Sequence, residues 1–314
     1  MTRRHDVAAV DILNRHCQIV ARRLGTGSVV PFLGAGANLC GRPVDADWRE
    51  GLYAPSGAEL ASYLAEPYGY PEADRDLLRV SQWVDLVSSP RALVDELHTV
   101  FSRDYPPNKL HSFLAELPRS LRKQGAVICG QLVLTTNYDD MLERAFAEAG
   151  EPVDVVVYET RRGEQQFVHL TPDGGRVSIE DPATYREFAL EQRSVILKIH
   201  GDVDREELKR DTFVITEDHY IDYLAGQGVR TLIPAYLMAR LGDRDLLFLG
   251  YSMRDWNRRV ILRQIWAEQG ISTGGWSIQR NPSEIDKRFW ARQRIDILDV
   301  ALENWVEGMR GHLR

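Results

Sequence analysis

Short unbroken apolar runs alternate along this chain with longer stretches in which apolar residues recur every three or four positions. The runs have the length of buried strands, and the recurrences have the period of amphipathic helices. Val7, Val10, Leu13, Cys17, Val20 and Leu24 share one face, which predicts a helix over 6–24 ended by Gly25. The first strand follows and runs apolar through Leu33 into Gly34-Ala35-Gly36. Further strands are predicted at Leu132–Thr135, 195–199, Asp245–Leu249, 276–278 and 294–297. Between the first two strands, Ser56-x-x-Glu59 has the form of a capping box and Ser89-Pro90 that of a helix start; a third helix carries Leu110, Phe113, Leu114 and Leu117. Later helices carry Met141 with Phe146, then Ile221, Tyr223 and Leu224 behind a Thr216 cap, then 232–240. Two more carry Val260, Ile261 and Ile265, and Leu302, Trp305, Val306 and Met309.

Apolar strands alternating with helices predict an α/β fold: a doubly wound, Rossmann-like, mainly parallel sheet of about six strands in one domain over 1–314. The helices over about 58–120 form an insert beside it. Residues of about 151–194 form a small excursion, with antiparallel strands at 153–158 and 167–170. Pro31 cannot donate to a ladder, so a kink or an unpaired position is expected there. Residues 40–57, rich in Gly, Pro and Asp, suit either a plain surface loop or a cover over a ligand.

Composition narrows the partners. The 314 residues carry a net charge of −7, and this acidic balance provides no basic field to offset phosphate repulsion, so nucleic acid is not expected as a partner. Cys17, Cys40 and Cys129 form no Cys-x-x-Cys pair, which leaves neither a zinc ribbon nor a disulfide framework. No signal peptide opens the chain and no apolar run approaches eighteen residues, so a cytoplasmic protein without a membrane span is expected.

The polar motifs all fall at the carboxyl ends of strands, where ligands of open α/β sheets bind. Gly34-Ala35-Gly36, Asn137 with Asp139, His200, and Gly250-Tyr251-Ser252 end four different strands. Each has a plainer reading: a tight turn, a helix cap, a histidine at a turn. The third glycine of the dinucleotide fingerprint would also fall at Leu39. Together they read as one site suited to attack at the anomeric carbon of a nucleotide. Such chemistry passes through an oxocarbenium-like state and needs groups that orient a nucleophile. Asn137 can hold water or the leaving amide, His200 can accept a proton, and Asp139 can bind ribose hydroxyls or orient a neighbour.

The motifs Gly34-Ala35-Gly36, Thr135-Thr136-Asn137-Tyr138-Asp139, Lys198-Ile199-His200-Gly201-Asp202 and Leu249-Gly250-Tyr251-Ser252 resemble the sirtuin superfamily, most of all its bacterial sirtuin-like branch of NAD-depleting antiphage effectors. Ile215-Thr216-Glu217-Asp218 and 251–257 resemble the same branch, and the likeness runs over about 15–310. It implies Asn137 and His200 as catalytic residues. It also implies NAD contacts at Gly34, Ala35, Gly36, Asn38, Gly250 and Ser252, beside the ribose role open to Asp139. Asn38 stands where that family usually has serine, and the four zinc cysteines of deacylating sirtuins are absent, so no metal is expected. The resemblance therefore implies an NAD glycohydrolase releasing nicotinamide and ADP-ribose with water as acceptor. The alternatives are a deacylase or ADP-ribosyltransferase, and a non-catalytic module that binds NAD or ADP-ribose. A free NADase would harm its host, so a separate sensor or activator and a homo-oligomer are expected, with 58–120 and the surroundings of Trp290 and Trp305 as candidate surfaces.

Overall fold

The computed structural model describes residues 2–161, 163–225, 229–251 and 274–313. The helix expected after Gly250 and the candidate Ser252 lie outside the described residues. Among the described residues the strands are β1 (Val29–Leu33), β2 (Leu132–Thr135), β3 (Val153–Arg161), β4 (Glu164–Leu170), β5 (Arg176–Ser178), β6 (Ser194–Lys198), β7 (Gly201–Asp202), β8 (Thr212–Phe213), β9 (Asp245–Leu249), β10 (Gly275–Gln279) and β11 (Ile295–Asp299). The helices are α1 (Thr2–Gly25), α2 (Gly57–Ala65), α3 (Leu77–Val87), α4 (Pro90–Phe101), α5 (Lys109–Lys123), α6 (Met141–Ala149), α7 (Glu217–Ala225), α8 (Val229–Leu232), α9 (Ala235–Gly242), α10 (Glu284–Arg292) and α11 (Leu302–His312).

Among the described residues nine strands form the central sheet, in the order β11-β10-β9-β1-β2-β6-β3-β4-β5, rather than about six. The difference comes from one long-range pairing. The β3–β4 hairpin does not stand apart as an excursion, because β3 lies parallel against β6 and carries β4 and β5 onto the sheet as antiparallel neighbours. All other pairings in this sheet are parallel. From β1 the chain builds the β2 side first, with β6 inserted between β2 and β3, and later returns to β9 on the other side, so the switch point of the winding lies between β1 and β9.

Side chains alternate between the two faces of the strands. Val30, Phe32, Leu132, Leu134, Leu197 and Phe248 share one core with Leu237 and Leu241 of α9 and Trp290 of α10. Val29, Leu33, Val133, Ile196, Leu247 and Leu249 share the other with α1, α5, α6 and α11. Each such side chain taken out of water contributes about 1.5–3 kcal/mol, which is why these strands read as continuous apolar runs. Pro31 sits inside this arrangement without a break. Gly34 donates toward β9, so alternation turns Pro31 toward β2, and the β1–β2 ladder begins only at Phe32. Its missing N–H therefore falls at an unpaired position.

Helices α2, α3 and α4 enclose a separate cluster with Trp48, Leu60, Val80 and Leu97, closed below by Val203, Phe213 and Ile215 around the β7–β8 pair. α5, although it begins within 58–120, packs instead on α6 and α11 against the central sheet. α1 continues through Gly25, and the left-handed residue that ends it is Gly27 at φ +62°. Helix 232–240 is two helices, since α9 starts after Pro234. In α7, Tyr223 is buried but Ile221 is 59% exposed. Trp290 and Trp305 are buried in the cores, so neither forms an exposed aromatic surface.

Candidate active site

Register places the site. Leu249, Leu33, Thr135, Lys198 and Val157 stand in one row across β9, β1, β2, β6 and β3. The next residues, Gly250, Gly34 and Thr136, therefore leave the sheet side by side. Gly36 donates to the Gly250 carbonyl at 2.9 Å and Ala37 to the Gly34 carbonyl at 2.8 Å, starting a short 3-10 turn over Ala35–Leu39. The loops after β1 and β9 cross here at backbone contact. A Cβ on Gly36 would lie 2.6 Å from the Gly250 oxygen, and one on Gly250, at φ +64°, would fall on the Ala37 nitrogen. These glycines thus have a role within the protein itself, beyond the pyrophosphate approach that the sequence pattern suggests.

Asn38 is buried and joins the two loops. Its Nδ2 donates to Asp139 Oδ2 at 2.6 Å, and its Oδ1 accepts from Asn137 Nδ2 at 3.2 Å. The carboxylate can only accept, which fixes the Asn38 amide and, through it, the Asn137 amide. Asn137 Oδ1 is left buried with no hydrogen-bond partner among the described residues. Asp139 also accepts from the Met141 N–H, the first of α6, at 3.1 Å, so it orients Asn38 and satisfies a helix-terminal amide at once. Asn108 at the head of α5 donates to the Ala37 carbonyl at 2.9 Å and fixes the 3-10 turn from behind. His111, buried one turn on, has its imidazole pushed down to about 4 by burial, against the pull of Asp139.

His200 follows β6. Its ring packs edge-on to Tyr220 and Tyr223 of α7, at centroid distances of 5.4 and 5.9 Å. Its carbonyl accepts from Val214 at 2.9 Å, and Gly201 makes the turn at φ +97°. Beneath it, the fully buried Lys198 ammonium contacts Asp139 O at 2.6 Å, Glu143 Oε1 at 2.9 Å and Asp202 Oδ1 at 2.6 Å. Burial opposes its charge, but Asp202, Glu143 and Asp139 outweigh that and hold its pKa above the usual lysine value. Burial raises Glu143 and Asp202 in turn, pushing Asp202 up to about 7. The sequence pattern gives Lys198 no role of its own, because its three partners lie on three segments.

Asn137, Asp139, Asn38, Ala35 and His200 line one open cleft of about 810 Å³, walled by Leu60, Leu77 and Phe101 of the helical cluster and by Tyr220. On the other side of the Gly36–Gly250 crossing lies a second hollow of about 430 Å³, bordered by Gln279, Arg280, Asn281 and Glu303. Residues 40–57 border the first cleft and are pinned rather than loose. Arg42 makes a two-pronged pair with Glu59 at 2.5 and 2.8 Å and also bonds the Ala46 carbonyl. Glu59 closes the capping box with Ser56. Among the described residues no group of three or more His, Cys, Asp or Glu side chains could hold a metal ion, and Cys17, Cys40 and Cys129 are buried free thiols.

Residues 131–298, over half of the chain, match the SIR2-like domain family. The chain belongs to that family. It is 25% identical over 284 residues to defense-associated sirtuin 2 of Bacillus subtilis, covering 88% of this chain and 23% of that protein. It is 23% identical over 231 residues to the NAD(+) hydrolase ThsA of Cytobacillus dafuensis, covering 74% of this chain and 37% of that one. The NAD(+) hydrolase ThsA of Acinetobacter baumannii (strain 532279) is 26% identical over 239 residues, with 74% of this chain and 38% of the relative covered. The chain thus spans less than two fifths of the length of these curated relatives. No helix among the described residues is long and apolar enough to cross a membrane.

Proposed function

We propose that this SIR2-like chain is an NAD glycohydrolase that acts in antiphage defence, with Asn137 and His200 as its catalytic residues. The observation that carries the reading is their convergence on one cleft beside the switch point of the sheet, with a buried, unpartnered Asn137 Oδ1 among its walls. That oxygen is a fixed acceptor for a water or a ribose hydroxyl. The names of the three relatives support the same reaction class and setting.

In the proposed reaction the bond between the ribose anomeric carbon and the nicotinamide nitrogen breaks, and its electron pair neutralises the pyridinium. Water adds to the oxocarbenium-like carbon. Its proton passes to His200 and then to solvent, so NAD⁺ and water give nicotinamide, ADP-ribose and one proton. Orientation of the water by Asn137 and proton acceptance by His200 supply the catalysis, and no covalent intermediate with the protein is needed. The two hollows on either side of the Gly36–Gly250 crossing suit the two halves of a dinucleotide laid over the strand ends. The Gly34–Asn38 turn and Gly250 would then line the pyrophosphate.

Such an enzyme needs restraint in a cytoplasm full of its substrate. We propose self-association and a separate sensor or activator that acts through the loop 40–57, where Val44 and Leu52 are exposed. The experiment that tests the reaction is incubation of the purified protein with NAD and chromatographic separation of nicotinamide, ADP-ribose, cyclic ADP-ribose and acylated or ADP-ribosylated products. Nicotinamide and ADP-ribose in equal amounts support hydrolysis. Tight NAD binding without loss would favour a binding module, and ADP-ribose found only on protein would favour a transferase.

A further inference from the structure

The side chains of Lys198, Glu143 and Asp202 lie outside the lining of the cleft, yet the buried ammonium reaches both turns that carry Asn137 and His200. The ammonium donates to Asp139 O in the turn after β2 and to Glu143 Oε1 on α6, and it forms an ion pair with Asp202 Oδ1 just past His200. Lys198 and Asp202 are four residues apart and bracket His200, so their ion pair closes the turn that carries the imidazole. The contact to Asp139 O reaches the other turn, where Asp139 holds Asn38 and Asn38 holds the Asn137 amide. One buried cation therefore ties the turn of Asn137 to the turn of His200.

Stability alone is a poor reason for this arrangement. Ions removed from water lose more solvation than an isolated pair regains, and a well-packed apolar side chain commonly does as well. Apolar packing was available here, since Ile196 and Val157, on the same face of the sheet as Lys198, are buried in the apolar core. What an apolar residue cannot do is hold three acceptors on three segments at fixed distances. Resting on the hydrolase reading above, we infer that Lys198 is a positioning residue, which sets the distance between Asn137 and His200 by cross-linking their two turns.

The test replaces the cluster as a set, so that no charge is left buried alone: Lys198→Met with Glu143→Gln and Asp202→Asn. The combined variant is expected to melt within a few degrees of the parent and to bind NAD within about threefold of it, because none of the three side chains lines the cleft. Turnover at saturating NAD is expected to fall about 100-fold, the scale of a misplacement of roughly 1 Å. Amide hydrogen exchange gives a second readout that does not depend on turnover. Met141, Val203 and Val214 donate to Asp139 Oδ1, Tyr138 O and His200 O, and their amides should exchange faster while those of β9 do not. Parental turnover in the folded combined variant, or unchanged protection at all three amides, overturns the inference. A parent protein that leaves NAD intact overturns the hydrolase reading instead, and the exchange measurement then decides the role of Lys198 by itself.

Discussion

The crossing of the β1 and β9 loops makes a prediction whose size follows from the backbone. Gly250 sits at φ +64°, where a side chain costs about 1–2 kcal/mol. Its Cβ would also fall on the Ala37 nitrogen and the Gly36 carbonyl carbon. Both belong to a turn that the Gly34 and Asn108 hydrogen bonds hold in place. Forcing such a contact apart adds about 1–3 kcal/mol, so Gly250→Ala should destabilise the protein by about 2–5 kcal/mol. An unfolding entropy of about 2.1 cal/mol/K per residue, taken over 314 residues, converts this to a fall in Tm of roughly 3–8 °C. Gly41 provides the control. It has φ +77°, but among the described residues beyond its chain neighbours no atom lies within 4 Å of where its Cβ would stand, so Gly41→Ala should show only the backbone cost, about 1–2 kcal/mol. Denaturant unfolding of both variants gives the comparison, and NAD turnover of Gly250→Ala should fall with the displaced Ala35–Asn38 turn. Equal stability of the two variants would refute the claim that the loops are packed backbone to backbone.

Other consequences are separate. Burial works against the charge of Glu59, but its bonds to Arg42 and Ser56 hold the carboxyl down to about 2, below its ordinary 4.5. A carboxyl depressed by folding stabilises the protein fully above its unfolded pKa and loses that contribution as pH falls toward the folded one. Glu59→Gln should therefore lower Tm at pH 7, and the difference from the parent should shrink between about pH 4.5 and 2; a difference independent of pH would contradict it. Trp305 is fully buried, and its Nε1 donates to His16 Nε2 at 3.0 Å. Trp305→Ala should cost about 3–5 kcal/mol in denaturant unfolding, whereas a cost below about 1 kcal/mol would place this ring outside the core.

What was legible in the sequence divides by the range of the interaction behind it. β2 and β9 appear in the structure with the limits read from their apolar runs, because a strand buried on both faces writes its length directly into composition. The capping box at Ser56 and the Ser89-Pro90 start were legible for the same local reason. In α3 the stripe of Leu77, Val80 and Val84 is masked in the sequence by further apolar residues off that face, and α10 is too short and too polar to show one. Leu86 is 70% exposed in α3 and Ile285 80% in α10, apolar positions that blur the pattern of the buried face. The pairing of β3 with β6, which enlarges the sheet, has no local signature. In the site, the strand-end positions of Asn137 and His200 were visible. The Asn38–Asp139 bond, across 101 residues, and the Lys198 cluster were not, since each depends on segments that meet only in the folded chain.

The central claim is that Asn137 and His200 act together on NAD in one cleft, and the direct measurement is NAD turnover by Asn137→Ala and His200→Ala beside calorimetric NAD binding and Tm. Removal of an orienting acceptor or a general base costs about 10²–10⁴-fold in rate. Each variant is therefore expected to lose at least about 100-fold in turnover while it keeps the parental fold and binds NAD within about tenfold. Near-parental turnover in either folded variant would contradict the account.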